Sequence, residues 1–203
     1  MRHAAMLLLA AGALLACDDD PTGPHTERSG FEAGVTPWEP SGLGMEDPRV
    51  TWSVEHAPEA FEGSGSARLT LATPAAGPVL WLERTVTLPS DDIGALAVRF
   101  RLGTRDTVAG DNWALLVAAT ADAPPGTLAQ FRSPGFIRLA PDQRPFAWLA
   151  HEQRFMVPPG ATRMHVAIGV QARGPGERSY WLDAVEIELT GVPDIRPLQE
   201  DER

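Results

Sequence analysis

The sequence predicts an all-β protein: a single β-sandwich of the jelly-roll type, with about eight antiparallel strands. Three observations lead there. Short segments alternate apolar and polar side chains, the period of a half-buried strand. Turn clusters such as "EGSGS", "TPAAGP", "LPSDDIG", "APPGT" and "RGPGE" separate them, and Gly and Pro number 19 each. No segment carries the 3.6-residue period of an amphipathic helix.

Taken in order, "VTWSVE" (50–55) and "SARLTL" (66–71) are the first strand candidates. "VLWLERTVTL" (79–88) turns Leu80, Leu82, Val86 and Leu88 inward, with Trp81, Glu83, Thr85 and Thr87 outward. "GALAVRFRL" (94–102) buries Leu96, Val98, Phe100 and Leu102 and exposes Arg99 and Arg101. "WALLVAAT", "GFIRLA" and "QRFMV" are shorter candidates. "RMHVAIGVQ" (163–171) buries Met164, Val166, Ile168 and Val170, leaving His165 and Gln171 outward. "YWLDAVEIEL" (180–189) buries Val185, Ile187 and Leu189 and exposes Glu186 and Glu188. By the same parity Asp183 and Trp181 fall on the core side. A lone ionised carboxylate there is costly, so Asp183 must meet an arginine, backbone N–H groups or a metal.

Composition narrows the function. Hydrophobic residues make up 43% of 203, enough for one packed domain and against wholesale disorder. A net charge of −10 argues against a nucleic-acid partner, which needs a basic surface. All 17 basic residues are arginine, so lysine Schiff-base chemistry is excluded. Cys17 is the single cysteine, which excludes an intrachain disulfide and a cysteine metal cluster.

The start, "MRHAAMLLLAAGALLAC", has a basic residue, an apolar run too short to span a bilayer, then small residues, and reads as a signal peptide over 1–16. Its end, "LLAC", resembles the bacterial lipobox. That resemblance implies cleavage before Cys17, a diacylglycerol on its thiol, and a secreted protein held at a membrane of the cell envelope by lipid. Asp18 resembles the inner-membrane retention signal of enteric bacteria, a rule that does not extend to all bacteria, so the membrane stays open. "DDDPTGPHTERSG" reads as an acidic tether over 17–30, the folded domain as 31–190, and "GVPDIRPLQEDER" as a disordered tail over 191–203.

Four elements in order resemble the jelly-roll carbohydrate-binding modules of the galactose-binding-like superfamily, the group found beside cellulases and xylanases. They are "FEAGVTPW", "FEGSGSARLTL", "FMVPPGATRMHVAIGV" and "SYWLDAVEIEL". "RSGFE" stands where those modules usually carry Asn-Gly before the Phe. The resemblance implies non-catalytic binding of a carbohydrate or polysaccharide. It also implies a structural calcium, with Asp183 and Glu32 as ligands and further oxygens from the loop after Phe61, where Glu62 and Ser64 are the side-chain candidates.

No catalytic constellation emerges, and the expectation is a protein that is not an enzyme. "HEQRF" lacks the second histidine of a zinc-protease helix, and neither G-x-S-x-G nor a phosphate loop is present. The acid pairs Glu46/Asp47 and Asp91/Asp92 sit in turns. For sugar binding, Trp81 is the candidate platform, with Arg99, Arg101, Trp113, His165 and Gln171 as further ligand contacts. Trp38, Trp148 and Trp181 are expected in the core or at the sandwich ends. The rival expectation is a structural or protein-interaction lipoprotein that docks an envelope protein on the same sandwich.

Overall fold

The computed structural model describes residues 25–105, 113–137 and 146–191. Their strands are β1 (His25–Ser29), β2 (Glu39–Leu43), β3 (Thr51–Ala57), β4 (Ser66–Thr73), β5 (Val79–Thr87), β6 (Ile93–Thr104), β7 (Trp113–Thr120), β8 (Arg132–Phe136), β9 (Ala147–Met156), β10 (Arg163–Ala172) and β11 (Gly176–Gly191). Two antiparallel sheets form the sandwich. Sheet A runs β3-β4-β11-β6-β9, with β1 added on β11; sheet B runs β2-β5-β10-β7-β8. β11 organises sheet A: β6 lies along one edge, while β4 and then β1 share the other.

The alternation seen in the sequence builds the core. Leu80, Leu82 and Val86 of β5 meet Leu96, Val98, Phe100 and Leu102 of β6, all buried between the sheets. Trp113 and Tyr180 fill one part of the interior, ring centroids 5.9 Å apart. Burying side chains of this size contributes roughly 1.5–3 kcal/mol each relative to exposure. The sheets are also clasped by charge. Arg84 of β5 stands on the core-facing parity and reaches across to Glu27 and Ser29 of β1.

Among the described residues eleven strands stand where about eight were expected. β1 lies inside the stretch read as tether, because "HTERS" is too polar to show a strand's alternation. "EPSGL" of β2 carries Pro and Gly, which mask it in the same way. β8 sits earlier than "GFIRLA" suggested, and β9 begins at Ala147, six residues before "QRFMV". The signal peptide, Cys17 and residues 192–203 lie outside the described residues.

The larger correction concerns Asp183. β11 changes face partway along. Tyr180 and Leu182 point into the core, and so do Val185, Ile187 and Leu189. The register against β6 slips between Asp183 and Glu186. This is a β-bulge, with Ala184 at φ +48° as the extra residue. Counting by twos from Val185 therefore fails across the bulge. Asp183 and Trp181 lie on the outer face of sheet A, opposite to the expected side.

Ala184 holds a left-handed conformation that only the surrounding ladder enforces. Ala184→Gly is expected to raise stability by about 0.5 kcal/mol, since relief of the Cβ clash outweighs the added chain entropy. Ala184→Val should lower it by roughly 1–2 kcal/mol. Urea unfolding of the two variants checks both signs.

Candidate functional site

The outer face of sheet A carries an open cleft of about 440 Å³. Its floor is set by register. Across β9, β6 and β11, the rows Glu152–Arg99–Glu186 and Ala150–Arg101–Asp183 run at the cleft, and the next row, Trp148–Gly103–Trp181, lies beside it. Neighbouring rows are two residues apart on β6 and β9, about 7 Å along the strands, and the bulge adds one residue between the first two rows on β11.

The first row is an ion-pair network. Arg99 donates to Glu152 at 3.1 Å, to Glu186 at 3.0 Å, and to Glu188. Arg28 of β1 donates to Glu186 at 3.0 Å, and Arg154 to Glu152 at 2.8 Å. The three carboxylates raise the Arg99 pKa, while Arg154 and then Arg99 lower that of Glu152. The groups face solvent, so the network contributes alignment of four strands more than net stability.

The third row is aromatic. Trp148 and Phe146 stand on Gly103, where a Cβ would come within 2.8 Å of Phe146 and 3.0 Å of Trp148. Phe146 meets Trp148 and Trp181 edge-on at 5.5 and 5.2 Å, and Phe61 meets Trp148 at 6.1 Å. Trp181 is buried beneath this layer, with the Arg105 guanidinium 5.0 Å from its ring. Phe61 is 43% exposed, and Trp148 and Phe146 are half-buried, so these three rings are reachable from solvent.

The middle row joins the two. Arg101 lays its guanidinium 4.4 Å from the centroid of the Phe61 ring. Phe61 is held there by the buried carboxylate. Asp183 Oδ2 accepts the N–H groups of Phe61 (2.7 Å) and Glu62 (3.1 Å), and Oδ1 accepts that of Ala184 (2.6 Å). Of the two protein partners expected for this carboxylate, an arginine or backbone N–H groups, the backbone supplies the contacts. Burial pushes the Asp183 carboxyl above its usual range, against the pull of these donors. Glu32 clamps the same loop farther along: Ser64 donates its N–H and its hydroxyl to Oε2, each at 2.6 Å, and these bonds lower the Glu32 pKa. Gly63 between them has φ +68°, and a Cβ there would lie 1.7 Å from Glu32 Oε1.

Glu32, Glu62, Ser64 and Asp183, the expected calcium set, thus converge on one loop. Among the described residues no three Asp, Glu, His or Cys side chains are grouped to hold a metal. The two carboxylates and loop carbonyls have the right oxygen chemistry for calcium, and most ligands would then have to come from the backbone.

The expected ligand contacts separate onto different surfaces. Arg99 and Arg101 line the cleft. Trp81, His165 and Gln171 lie on the outer face of sheet B. Trp81 does point away from the core, but Phe131 (5.2 Å between centroids), Val79 and Leu116 cover it, leaving 1% exposed. Its indole N–H donates to Glu83 at 2.7 Å. His165 is buried beside Glu39, Glu83 and Thr85, and its Nδ1 lies 3.1 Å from the Thr85 hydroxyl. Gln171 is buried near Gly77 and Leu128. Trp113 is in the core, not at a rim. Phe61, Phe146, Trp148 and Trp181 were missed. In "AWLAHEQRF" the inward positions include His151 and Gln153, so polarity hid the parity that turns Trp148 outward.

No family model matches this chain, and no curated protein sequence matches it. Solved structures do. The K1 cleaved adhesin domain of Lys-gingipain from Porphyromonas gingivalis W83 overlaps with a TM-score of 0.54 at 18% identity, over 82% of this chain and 99% of that one. A structure reported for the promiscuous specificity of carbohydrate-binding modules of the β-sandwich superfamily gives 0.50 at 16%, over 77% of this chain and 59% of that one. TmCBM61 in complex with β-1,4-galactotriose gives 0.49 at 18%, over 78% and 92%. At such identities the likeness shows the fold, a β-sandwich.

Asp183→Ala removes the acceptor for three N–H groups. It is expected to lower stability by about 2 kcal/mol or more in urea unfolding. Hydrogen exchange should show the loss of protection concentrated at Phe61 and Glu62; loss spread evenly over the domain would contradict the loop-clamp role.

Proposed function

We propose that this protein binds carbohydrate without catalysis, on the outer face of sheet A. The observation that carries the reading is a set of reachable aromatic rings, Phe61 lining the open cleft and Phe146 and Trp148 next to it, close to the guanidinium groups of the cleft. Aromatic faces stack on the apolar faces of pyranose rings, and arginine forks and carboxylates bond the hydroxyls. Similarity in fold to carbohydrate-binding modules supports the reading. By the lipobox resemblance, Cys17 carries a lipid that anchors the chain in a bacterial cell envelope and leaves the sandwich free to meet glycans.

A screen of soluble polysaccharides against the purified full chain tests this. Binding to at least one glycan is expected. Trp148→Ala should weaken it by about tenfold, the loss of one stacking platform. Binding by no glycan, with a cooperative unfolding transition present, defeats the reading.

Calcium belongs to the same proposal as a structural ion of the Phe61–Ser64 loop, held by Glu32, Asp183 and loop carbonyls. The expected result is a higher melting temperature in calcium than in chelator, lost in Glu32→Ala. An equal melting temperature in both removes calcium from the account.

A protein-docking role is the second reading. β9 ends sheet A with no strand on its far side among the described residues, and Met156 at its end is 76% exposed. An open strand edge can accept a partner's strand, and one structure of similar fold is named an adhesin domain.

A further inference from the structure

We propose that the glycan is anionic, with its acidic group seated on Arg101. This rests on the carbohydrate-binding reading of the same cleft and adds the charge of the ligand. Three arginines line the cleft, Arg28, Arg99 and Arg101, together with Glu62, Glu152 and Glu186. Two of the arginines are already matched. Arg28 is held by Glu186, and Arg99 by Glu152, Glu186 and Glu188. Arg101 has no hydrogen bond or ion pair among the described residues.

Its isolation comes from its two cross-strand neighbours. On β11 it faces Asp183, whose carboxylate is turned to the N–H groups of Phe61, Glu62 and Ala184. On β9 it faces Ala150, which is exposed and too short to reach it. One row earlier, both neighbours of Arg99 are glutamates that bind it. The same strand thus carries one arginine locked by acids and one left open, with a gap beside it. The Arg101 guanidinium packs over the Phe61 ring, 4.4 Å from its centroid, a contact that restrains the side chain at the cleft. A planar fork held in this way suits a carboxylate or sulfate, which takes paired hydrogen bonds.

Glu62 is the remaining unpaired acid on the cleft. It is exposed on the loop, free to turn to water, whereas Arg101 is half-buried. The chain's net charge of −10 does not forbid an anion here, since charges farther away than about 8 Å are screened at physiological ionic strength. The aromatic row lies one step, about 7 Å, along the strands from Arg101, so a sugar ring on Trp148 and an acidic group on Arg101 can belong to one short oligosaccharide.

The test compares a galacturonate oligomer, its methyl ester, a neutral galactan oligomer and a sulfated galactan oligomer, each titrated calorimetrically into the full chain. The acid or the sulfate should bind about tenfold or more tighter than its uncharged counterpart, as expected for a charge-assisted hydrogen-bonded contact. Which of the two is preferred identifies the acidic group. Arg101→Gln should erase the preference, so that acid and ester bind alike. Equal affinity for acid and ester, and for sulfated and neutral galactan, overturns the proposal and leaves carbohydrate binding standing. So does an Arg101→Gln protein that keeps the preference. Binding only to a neutral glycan of the wider screen also overturns the proposal, and binding neither to these four nor to any glycan of that screen defeats the carbohydrate reading itself. Should Arg101→Gln fail to fold, the wild-type ratios decide, with Arg101→Lys, which keeps charge but loses the fork, expected to bind the acid at intermediate strength.

Discussion

The Asp183 carboxylate is the interaction on which the rest of the outer face of sheet A depends. It sits on the central strand of sheet A, fully buried, and binds three backbone N–H groups from two places in the chain. One belongs to the next residue, where β11 bulges and changes face. The other two belong to the loop after β3. A single side chain thus stabilises a strand irregularity and anchors a distant loop upon it. An ionised group under a protein surface is tolerated only where donors surround it, and the loop's backbone supplies them. Glu32 repeats the device on the same loop with Ser64.

The bulge has consequences beyond its own position. Because β11 switches parity, Trp181 turns outward and extends the aromatic layer with Phe146 and Trp148. Because the loop is pinned, Phe61 reaches the cleft and packs against Arg101. The cation, the aromatic rings and the ion-pair network are then three adjacent rows of one sheet. Regular strands alone would have left Trp181 in the core and the loop without its anchor.

The two outer faces of the sandwich share a motif and differ in what covers it. On sheet A, Trp148 and Phe146 rest on Gly103; on sheet B, Trp81 rests on Gly169, where a Cβ would meet the Trp81 side chain at 2.4 Å. At Gly103 a Cβ would strike the Phe146 and Trp148 rings, and at Gly169 the Leu80 carbonyl and the Cα and Cβ of Trp81. Phe131, from the turn before β8, closes over Trp81 and makes a small second core. The rings on sheet A keep their exposure. Outward parity thus leaves Trp148 half-exposed on one face and Trp81 covered on the other, and the covering ring, Phe131, lies far away in sequence.

Much of the fold was legible. The alternation of β5, β6, β10 and the later half of β11 set the fold class, the inward residues and the outward direction of Arg99 and Arg101, because a strand's period of two depends on local sequence alone. β1 and β2 were not legible, since short strands rich in polar residues, Pro or Gly carry no such period. For the site, the sequence also linked Glu32, Asp183 and the loop between them, through the resemblance of its segments. It could not assign Asp183 to a face, because a bulge is a register event between two strands and leaves no mark in either. Nor could it tell which tryptophans stay uncovered. The residues themselves determined a β-sandwich with an acid to satisfy and aromatic side chains to place. Tertiary structure decided which acid meets which N–H, which ring is covered and which arginine stays open, because those outcomes depend on pairings between strands that the chain's local pattern does not encode.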